Sequence, residues 1–222
     1  GADLVRQING GDEEALASGI SSVTFSRHAR TVPGRTMPEV VAGASSVEQL
    51  VASHVDAPGG TMGTFQVMDH DAAAAYFVPD LPEDAVSWSP TRVELVMSTR
   101  ASNSTTYHVE IRGADGSRLP STEIHASLDA NPKDLPRSLG GWCDHVLTGT
   151  PDLVPDAGYC LVIRSGAVNG ATVNLQYEAD GTPMPPDTHW TTSSSATPNW
   201  SAPETSQDLV FRIYGTYRAR TP

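Results

Sequence analysis

Segments with the residue pattern of β-strands recur through the last third of the chain, and only turns and loops separate them. Residues 158–164, 171–177 and 208–217 each alternate or cluster apolar and β-branched residues over the length of one strand. Gly, Pro, Asn or Ser bounds each segment. Strands that follow one another with only turns between them form antiparallel sheets, so the pattern predicts an all-β antiparallel sandwich.

The same pattern extends backwards to about residue 60 and gives ten candidate strands. A minimal sandwich has about seven strands, so this larger number predicts an antiparallel jelly-roll β-sandwich of two sheets. One segment, 46–54, predicts a helix instead, because Ser46 is a suitable cap and Glu48 and Gln49 follow it. The candidate strands are 63–69, 73–79, 86–98, 105–113, 121–128, 139–147, 158–164, 171–178, 187–193 and 208–218.

The chain divides near residue 45. Residues 4–30 predict a strand, an Asn-Gly-Gly turn, a short helical or extended link, and a second strand. Residues 31–47 are rich in Pro, Gly, Ala and Ser and are typical of a linker. We therefore expect a small N-terminal piece with its linker over 1–45 and the jelly roll over 46–222.

The charge of the chain makes nucleic acid an unsuitable partner. The net charge of the 222 residues is −12, and among the 14 basic residues Lys133 is the single lysine. Binding to phosphate requires clustered Lys and Arg, which this composition does not provide. No apolar run reaches the about 18 residues of a membrane-spanning helix, so these residues are not expected to cross a bilayer.

The two cysteines, Cys143 and Cys160, each lie in a candidate strand, with a turn-rich segment between them. If the two strands form a hairpin centred near residues 151–152, the thiols face each other and a cross-strand disulfide becomes geometrically feasible. Such a bond fits an exported protein. The alternative is a pair of free, half-buried thiols in a reducing compartment.

Catalytic motifs are absent from the sequence. It contains no Gly-x-Ser-x-Gly, Cys-x-x-Cys, His-Glu-x-x-His or Gly-rich phosphate loop, so we predict no catalytic residue, no metal site and no enzyme activity. A structural Ca²⁺ is the one cofactor left open, since Asp69 and Asp71 would share one face of a strand. A glycoside hydrolase would need two of Glu94, Glu110 and Glu123 to converge across a cleft.

Three aromatic residues are candidates for ligand binding. Trp190 and Trp200 flank a Ser/Thr-rich loop, and Tyr214 lies in the last strand. Exposed rings stack on sugars because the C–H groups of a pyranose face the negative π surface. The alternative for both tryptophans is packing that anchors the loop. We expect Trp88 and Trp142, which adjoin apolar strand residues, to lie in the core.

The end of the chain resembles the jelly-roll modules of bacterial exported proteins. Those modules close with Trp … Asp-Leu-x-Phe-x-x-Tyr-Gly, and this sequence has Trp200 followed by residues 208–215 in that pattern. The likeness covers residues 60–218. It implies a module of an exported or cell-surface protein and does not specify a ligand.

The beginning of the chain resembles the distal part of type IV pilin-like proteins and pseudopilins. Residues 6–11 match Arg-x-x-Asn-Gly-Gly, and residues 16–25 match Leu-x-x-Gly-Ile-x-Ser-x-x-Phe. In planctomycete-type proteins of this family a jelly-roll module follows. The resemblance implies an extracellular, non-catalytic display domain, which would reach the membrane and other pilin-like subunits through an apolar helix preceding these residues.

A carbohydrate-binding, lectin-like module is the alternative interpretation of the same sequence. It is favoured by the jelly-roll pattern together with Trp190, Trp200 and Tyr214. Its partners would be glycans rather than subunits of a filament.

Overall fold

The computed structural model describes residues 2–6, 14–20, 42–55, 61–99, 106–165, 173–179, 189–194, 199–204 and 207–221. The chain forms two compact units, Gly1–Glu39 and Val40–Pro222. In the first unit, β1 (Ala2–Arg6) pairs antiparallel with β2 (Glu14–Ile20). The predicted link is thus extended over β2, and the strand predicted after it lies outside the described residues.

The second unit is an all-β sandwich, which confirms the predicted fold class. Each of the ten predicted strands overlaps a strand of the structure. A single turn of 3₁₀ helix, Pro132–Asp134, follows the ninth strand. The strands are β3 (Ala42–Ser45), β4 (Gln49–His54), β5 (Met62–Val67), β6 (Asp71–Phe77), β7 (Ala85–Thr99), β8 (Tyr107–Ala114), β9 (Pro120–Ala130), β10 (Trp142–Val146), β11 (Tyr159–Ser165), β12 (Val173–Glu178), β13 (His189–Ser194), β14 (Asp208–Leu209) and β15 (Phe211–Arg220).

The strands form two antiparallel sheets, and the chain passes from one sheet to the other at most of its connections. The five-stranded sheet has the order β13-β6-β11-β8-β9. The eight-stranded sheet follows β14-β12-β7-β15-β3, with β10 paired to β7, β4 to β15 and β5 to β12. From β5 to β13 only β8 and β9 are consecutive strands of one sheet, and this alternation is typical of a jelly roll.

The segment predicted to be helical, 46–54, contains no helix: residues 46–48 are a short connection and Gln49–His54 is a strand, so that prediction is wrong. This strand, β4, pairs with β15 and places His54 opposite Phe211. The capping signal at Ser46 is local, whereas burial of Val51 and His54 against the sandwich favours the extended conformation. Within the predicted linker, β3 also pairs with β15, with Ser45 opposite Arg218.

The predicted disulfide is not formed, and both cysteines are free. Cys143 lies on β10, which pairs with β7 in the eight-stranded sheet. Cys160 lies on β11, which pairs with β6 and β8 in the five-stranded sheet. The hairpin predicted to align the two thiols does not form, because the chain changes sheets between β10 and β11.

An apolar core fills the space between the two sheets. Its centre is aromatic, with the rings of Trp88 and Tyr159 in edge contact at 5.4 Å and Phe77 within 6.3 Å of Phe211. Trp88 is fully buried, as predicted. Within the part of the chain that the structure describes, no helix has the length and apolarity that crossing a bilayer requires.

We predict that Gly215→Ala destabilises the sandwich by about 1–3 kcal/mol, the usual cost of overpacking. A Cβ atom at this position of β15 would lie 2.7 Å from the carbonyl oxygen of Ser89 on the neighbouring β7. Equilibrium unfolding in urea measures the change. Gly116→Ala is the matched control, since a Cβ atom there meets nothing within 4 Å. Equal stability of the two variants would contradict the tight strand packing at Gly215.

We also predict that the two thiols react separately and at different rates. Cys143 is partly exposed, whereas Cys160 is 1% exposed and its burial raises the pKa to about 12. Iodoacetamide at mildly alkaline pH should therefore modify Cys143 in the folded protein and Cys160 only after unfolding. Intact-mass and peptide analysis would follow both. If neither thiol reacted after denaturation in the absence of a reductant, the two cysteines would instead form a disulfide.

Candidate functional site

The outer surface of the eight-stranded sheet carries a cluster of aromatic and charged side chains. Along β7, buried residues alternate with Arg92 and Glu94, so the strand turns these two side chains away from the core. The register places Asp144 of β10 and Arg212 of β15 opposite Glu94, and Tyr214 opposite Arg92. We call this surface the ring-and-charge face; its residues are Arg92, Glu94, Trp142, Asp144, Arg212 and Tyr214.

The carboxylate of Glu94 organises the ring-and-charge face. Its Oε1 accepts a hydrogen bond from Arg92. Its Oε2 accepts from Nη1 of Arg212 and from the hydroxyl of Tyr214, both at 3.2 Å. The side chain is only 13% exposed, so these charge-assisted bonds replace most of its hydration. Glu94 thereby holds three neighbouring side chains in fixed positions.

Arg92 extends this network to the rim of the face. It donates to Oδ1 of Asp144 at 2.8 Å and to Oε2 of Glu48 at 3.2 Å. Burial lowers the pKa of Arg92, but the hydrogen bonds to Asp144, Glu94 and Glu48 outweigh it and raise the pKa above its usual range. The guanidinium is therefore fully charged at neutral and mildly alkaline pH.

Each aromatic ring of the face lies against a guanidinium group. The Cζ atom of Arg92 is 3.8 Å from the ring centroid of Tyr214, and that of Arg212 is 4.1 Å from the ring centroid of Trp142. Cation–π contacts of this kind fix the ring orientation. Both rings remain partly exposed. Rings beside fixed donors and acceptors suit a ligand that combines C–H surface with hydroxyl groups.

Trp190, the first predicted ligand residue, lies in the core of the sandwich. It is 4% exposed, stacks on Tyr177 at 5.5 Å and meets the edge of Phe65 at 5.4 Å. These partners belong to β12 and β5, so the ring connects β13 to the opposite sheet. No face of the indole is open to a ligand.

Trp200, the second predicted ligand residue, lies on the outer surface of the five-stranded sheet. It packs against a small apolar cluster that includes Tyr76 and Cys160. The next residue, Ser201, ties the segment to β13, since its carbonyl accepts from Thr191 at 2.8 Å and its N–H donates to the carbonyl of Thr192 at 2.8 Å. Trp200 is partly exposed and anchors this segment to the sheet.

The three predicted ligand residues therefore do not converge. Of the three, only Tyr214 belongs to the ring-and-charge face. Sequence reasoning did not identify Arg92, Glu94 or Arg212 as its neighbours and assigned Trp142 to the core, whereas Trp142 is partly exposed on this face. The alternation of polar and apolar residues in 92–95 and 211–214 was the signal that could have grouped these side chains.

The three glutamates considered for glycoside hydrolysis lie on different strands with separate partners. Glu94 is in the eight-stranded sheet, whereas Glu110 and Glu123 are on β8 and β9 of the other sheet. Glu110 is 1% exposed, and its carboxylate accepts from Nε of Arg112 at 2.7 Å and Nε of Arg164 at 2.8 Å. The Glu110 carboxylate therefore links β8 to β11 through the two guanidinium groups, and it is shielded from any substrate.

A second buried polar cluster joins three strands of the eight-stranded sheet. Nε2 of His54 is 3.1 Å from the carboxylate of Glu178, and its Nδ1 is 3.8 Å from that of Asp208. All three side chains are at most 7% exposed, so the cluster is largely shielded from solvent. Across the described residues, no group of three or more His, Cys, Asp and Glu side chains is arranged to hold a metal ion. The Ca²⁺ left open at Asp69 and Asp71 stays a prediction.

No protein-family model matches this sequence. A comparison with curated proteins found no match either. The basis for inferring a function is therefore the chain's own residues, its division into two units and the ring-and-charge face.

Proposed function

We propose that this chain is the non-catalytic display domain of a pilin-like subunit exported to the cell surface. The observation that carries the proposal is the division into the units Gly1–Glu39 and Val40–Pro222. The residues that resemble a pilin head fall in the first unit, where β1 and β2 form an antiparallel pair. The second unit has its own apolar core, as an independently displayed domain requires.

In this arrangement, an apolar helix that precedes the first unit connects the chain to other pilin-like subunits and to the membrane. The sandwich is the part presented to the surroundings. Its net-negative composition favours solubility and disfavours nucleic acid as a partner.

The display proposal predicts that Val40–Pro222 folds without the first unit. The isolated unit should unfold cooperatively, with a midpoint within a few degrees of that of the full chain, because its core draws on its own residues. Calorimetry and near-ultraviolet circular dichroism measure this. A molten or aggregated fragment would contradict an independently displayed domain.

The coding sequence upstream of Ala2 tests the pilin-like assignment itself. A short basic leader followed by a Phe, a Glu a few positions on and about 20 apolar residues would support it. An ordinary signal peptide or an enzyme domain at that place would overturn it.

The non-catalytic assignment has its own test, an assay of the purified protein on esters, peptides and glycosides. Turnover of any of these substrates by the protein would refute the assignment.

Glycan recognition is the second candidate function, and the ring-and-charge face favours it. The two outer surfaces of the sandwich differ: on the five-stranded sheet the partly exposed Trp200 packs against an apolar cluster, whereas on the other sheet the partly exposed Tyr214 and Trp142 lie beside charged groups. The rings supply stacking surface, and Glu94 and Arg212 supply fixed hydrogen-bonding groups. A lectin-like module requires this combination on an accessible surface.

If the ring-and-charge face binds glycans, Tyr214→Ala and Trp142→Ala should each weaken binding at least about tenfold, as loss of a stacking ring usually does. A glycan array followed by calorimetry on the best ligand measures the effect. Trp200→Ala is the matched control, because that ring lies on the other sheet and its loss should leave binding unchanged. A flat array for the parent protein, or a loss confined to Trp200→Ala, would exclude this face.

A further inference from the structure

A cleft of about 420 Å³ opens between edge strands of the two sheets, β9 and β10. The 3₁₀ helix and its flanking residues form one wall, through Asn131, Asp134 and Leu135. A bridge between Ser127 and Thr148 links β9 to the segment after β10. We call this the edge cleft. Its volume lies within the range of small-molecule sites, which is about 300–1,000 Å³.

A buried polar pair lines the edge cleft. The hydroxyl of Tyr107 and Nε2 of His145 are 2.8 Å apart, and both residues are 2% exposed. Burial lowers the pKa of His145, and the nearby carbonyls of Cys143 and Val93 only partly oppose this, so the ring is neutral at neutral pH. Its other nitrogen, Nδ1, is buried without a hydrogen bond of normal geometry. A buried polar atom in this state is unfavourable, and a ligand hydroxyl in the cleft would offer it a partner of better geometry than the carbonyls of Cys143 and Val93.

The charge of the edge cleft is negative. Three carboxylates line it, those of Asp129, Asp134 and Asp144, and no Lys or Arg is found among the described lining residues. Asp129 lies 2.6 Å from Nδ1 of His108, and Asp144 accepts from Arg92 at 2.8 Å. Among the described residues no ion pair neutralises Asp134, whose carboxylate therefore attracts a cationic group.

The remaining walls are apolar. Leu128 and Leu135 contribute hydrocarbon surface between the carboxylates and the Tyr107–His145 pair. The cleft thus combines three chemistries: an anionic group at Asp134, a buried ring nitrogen on His145 without a hydrogen bond of normal geometry, and a C–H contact surface. A ligand that matches all three carries an ammonium group, a hydroxyl group and a small carbon skeleton.

We propose that the edge cleft binds a small hydroxylated ammonium ion of the size of one amino sugar, with its ammonium group at Asp134 and a hydroxyl at His145. The cleft lies between the edges of the sheets and shares Asp144 with the ring-and-charge face, whereas neither Asp134 nor His145 belongs to that face. The proposal therefore holds whether or not the ring-and-charge face binds glycans, and it is independent of the display function.

Titration of the ¹⁵N-labelled full chain with glucosamine tests the proposal. Saturable shifts should appear in the amides of Asn131 and Cys143 and in the ring nitrogens of His145. Glucose, which has no charge, and N-acetylglucosamine, whose amine is neutralised, should bind at least about tenfold more weakly, as expected for loss of a charge-assisted hydrogen bond. Equal binding of the three sugars, or no saturable shift with glucosamine, would overturn the proposal.

Two variants locate the ammonium group. Asp134→Asn should weaken glucosamine binding about tenfold, whereas Asp156→Asn, which removes an exposed turn carboxylate outside the cleft, should leave it unchanged. If both variants lost the same affinity for glucosamine, general charge attraction would explain the binding and the proposed site would be wrong. Shifts at Trp142 and Tyr214 in place of the cleft amides would also overturn it, while supporting glycan binding at the ring-and-charge face.

Discussion

An aromatic contact between the two sheets is the interaction on which the rest of the sandwich depends. Trp88 of β7 meets Tyr159 of β11 edge-on at 5.4 Å, and Phe77 of β6 lies 6.2 Å from Trp88. Rings of this size bury the largest apolar areas in a core, and edge-on pairs add further stabilisation. Once these inward positions are occupied by rings, alternation along each strand determines which side chains face outward.

The outer surfaces of the two sheets both carry a network of one glutamate and two arginines, but the two networks differ in their surroundings. In each sheet a glutamate lies between two arginines and links neighbouring strands: Glu94 with Arg92 and Arg212, and Glu110 with two arginines of β8 and β11. Glu110 is 1% exposed, although Arg164 at the margin of its network keeps 31% of its side chain exposed. The network of Glu94 stays accessible and has aromatic rings on both sides. The eight-stranded sheet therefore has the surface that is better suited to recognition.

The strands could be predicted from the sequence, because alternation of apolar residues and bounding turns are local signals. Strand pairing could not, since nothing local shows that the chain changes sheets between Cys143 and Cys160. The helix predicted around Ser46 failed for a related reason: pairing with β15 and burial of Val51 outweighed a local cap. Tyr214 could be selected as a surface aromatic, but its neighbours come from β7 and β10, which are distant in sequence.

The change of sheets between β9 and β10 also produces the second of the two candidate binding surfaces, the edge cleft, beside the ring-and-charge face. Because β9 and β10 belong to different sheets, their edges face one another without forming a continuous ladder, and a cleft remains between them. On the ring-and-charge face, Glu94 accepts three hydrogen bonds from guanidinium and hydroxyl donors, so its field is largely cancelled at short range. At the cleft, Asp134 has no such partner among the described residues, and its field extends into a space of ligand size. A neutral, hydroxyl-rich ligand is thus matched to the first surface and a cationic one to the second.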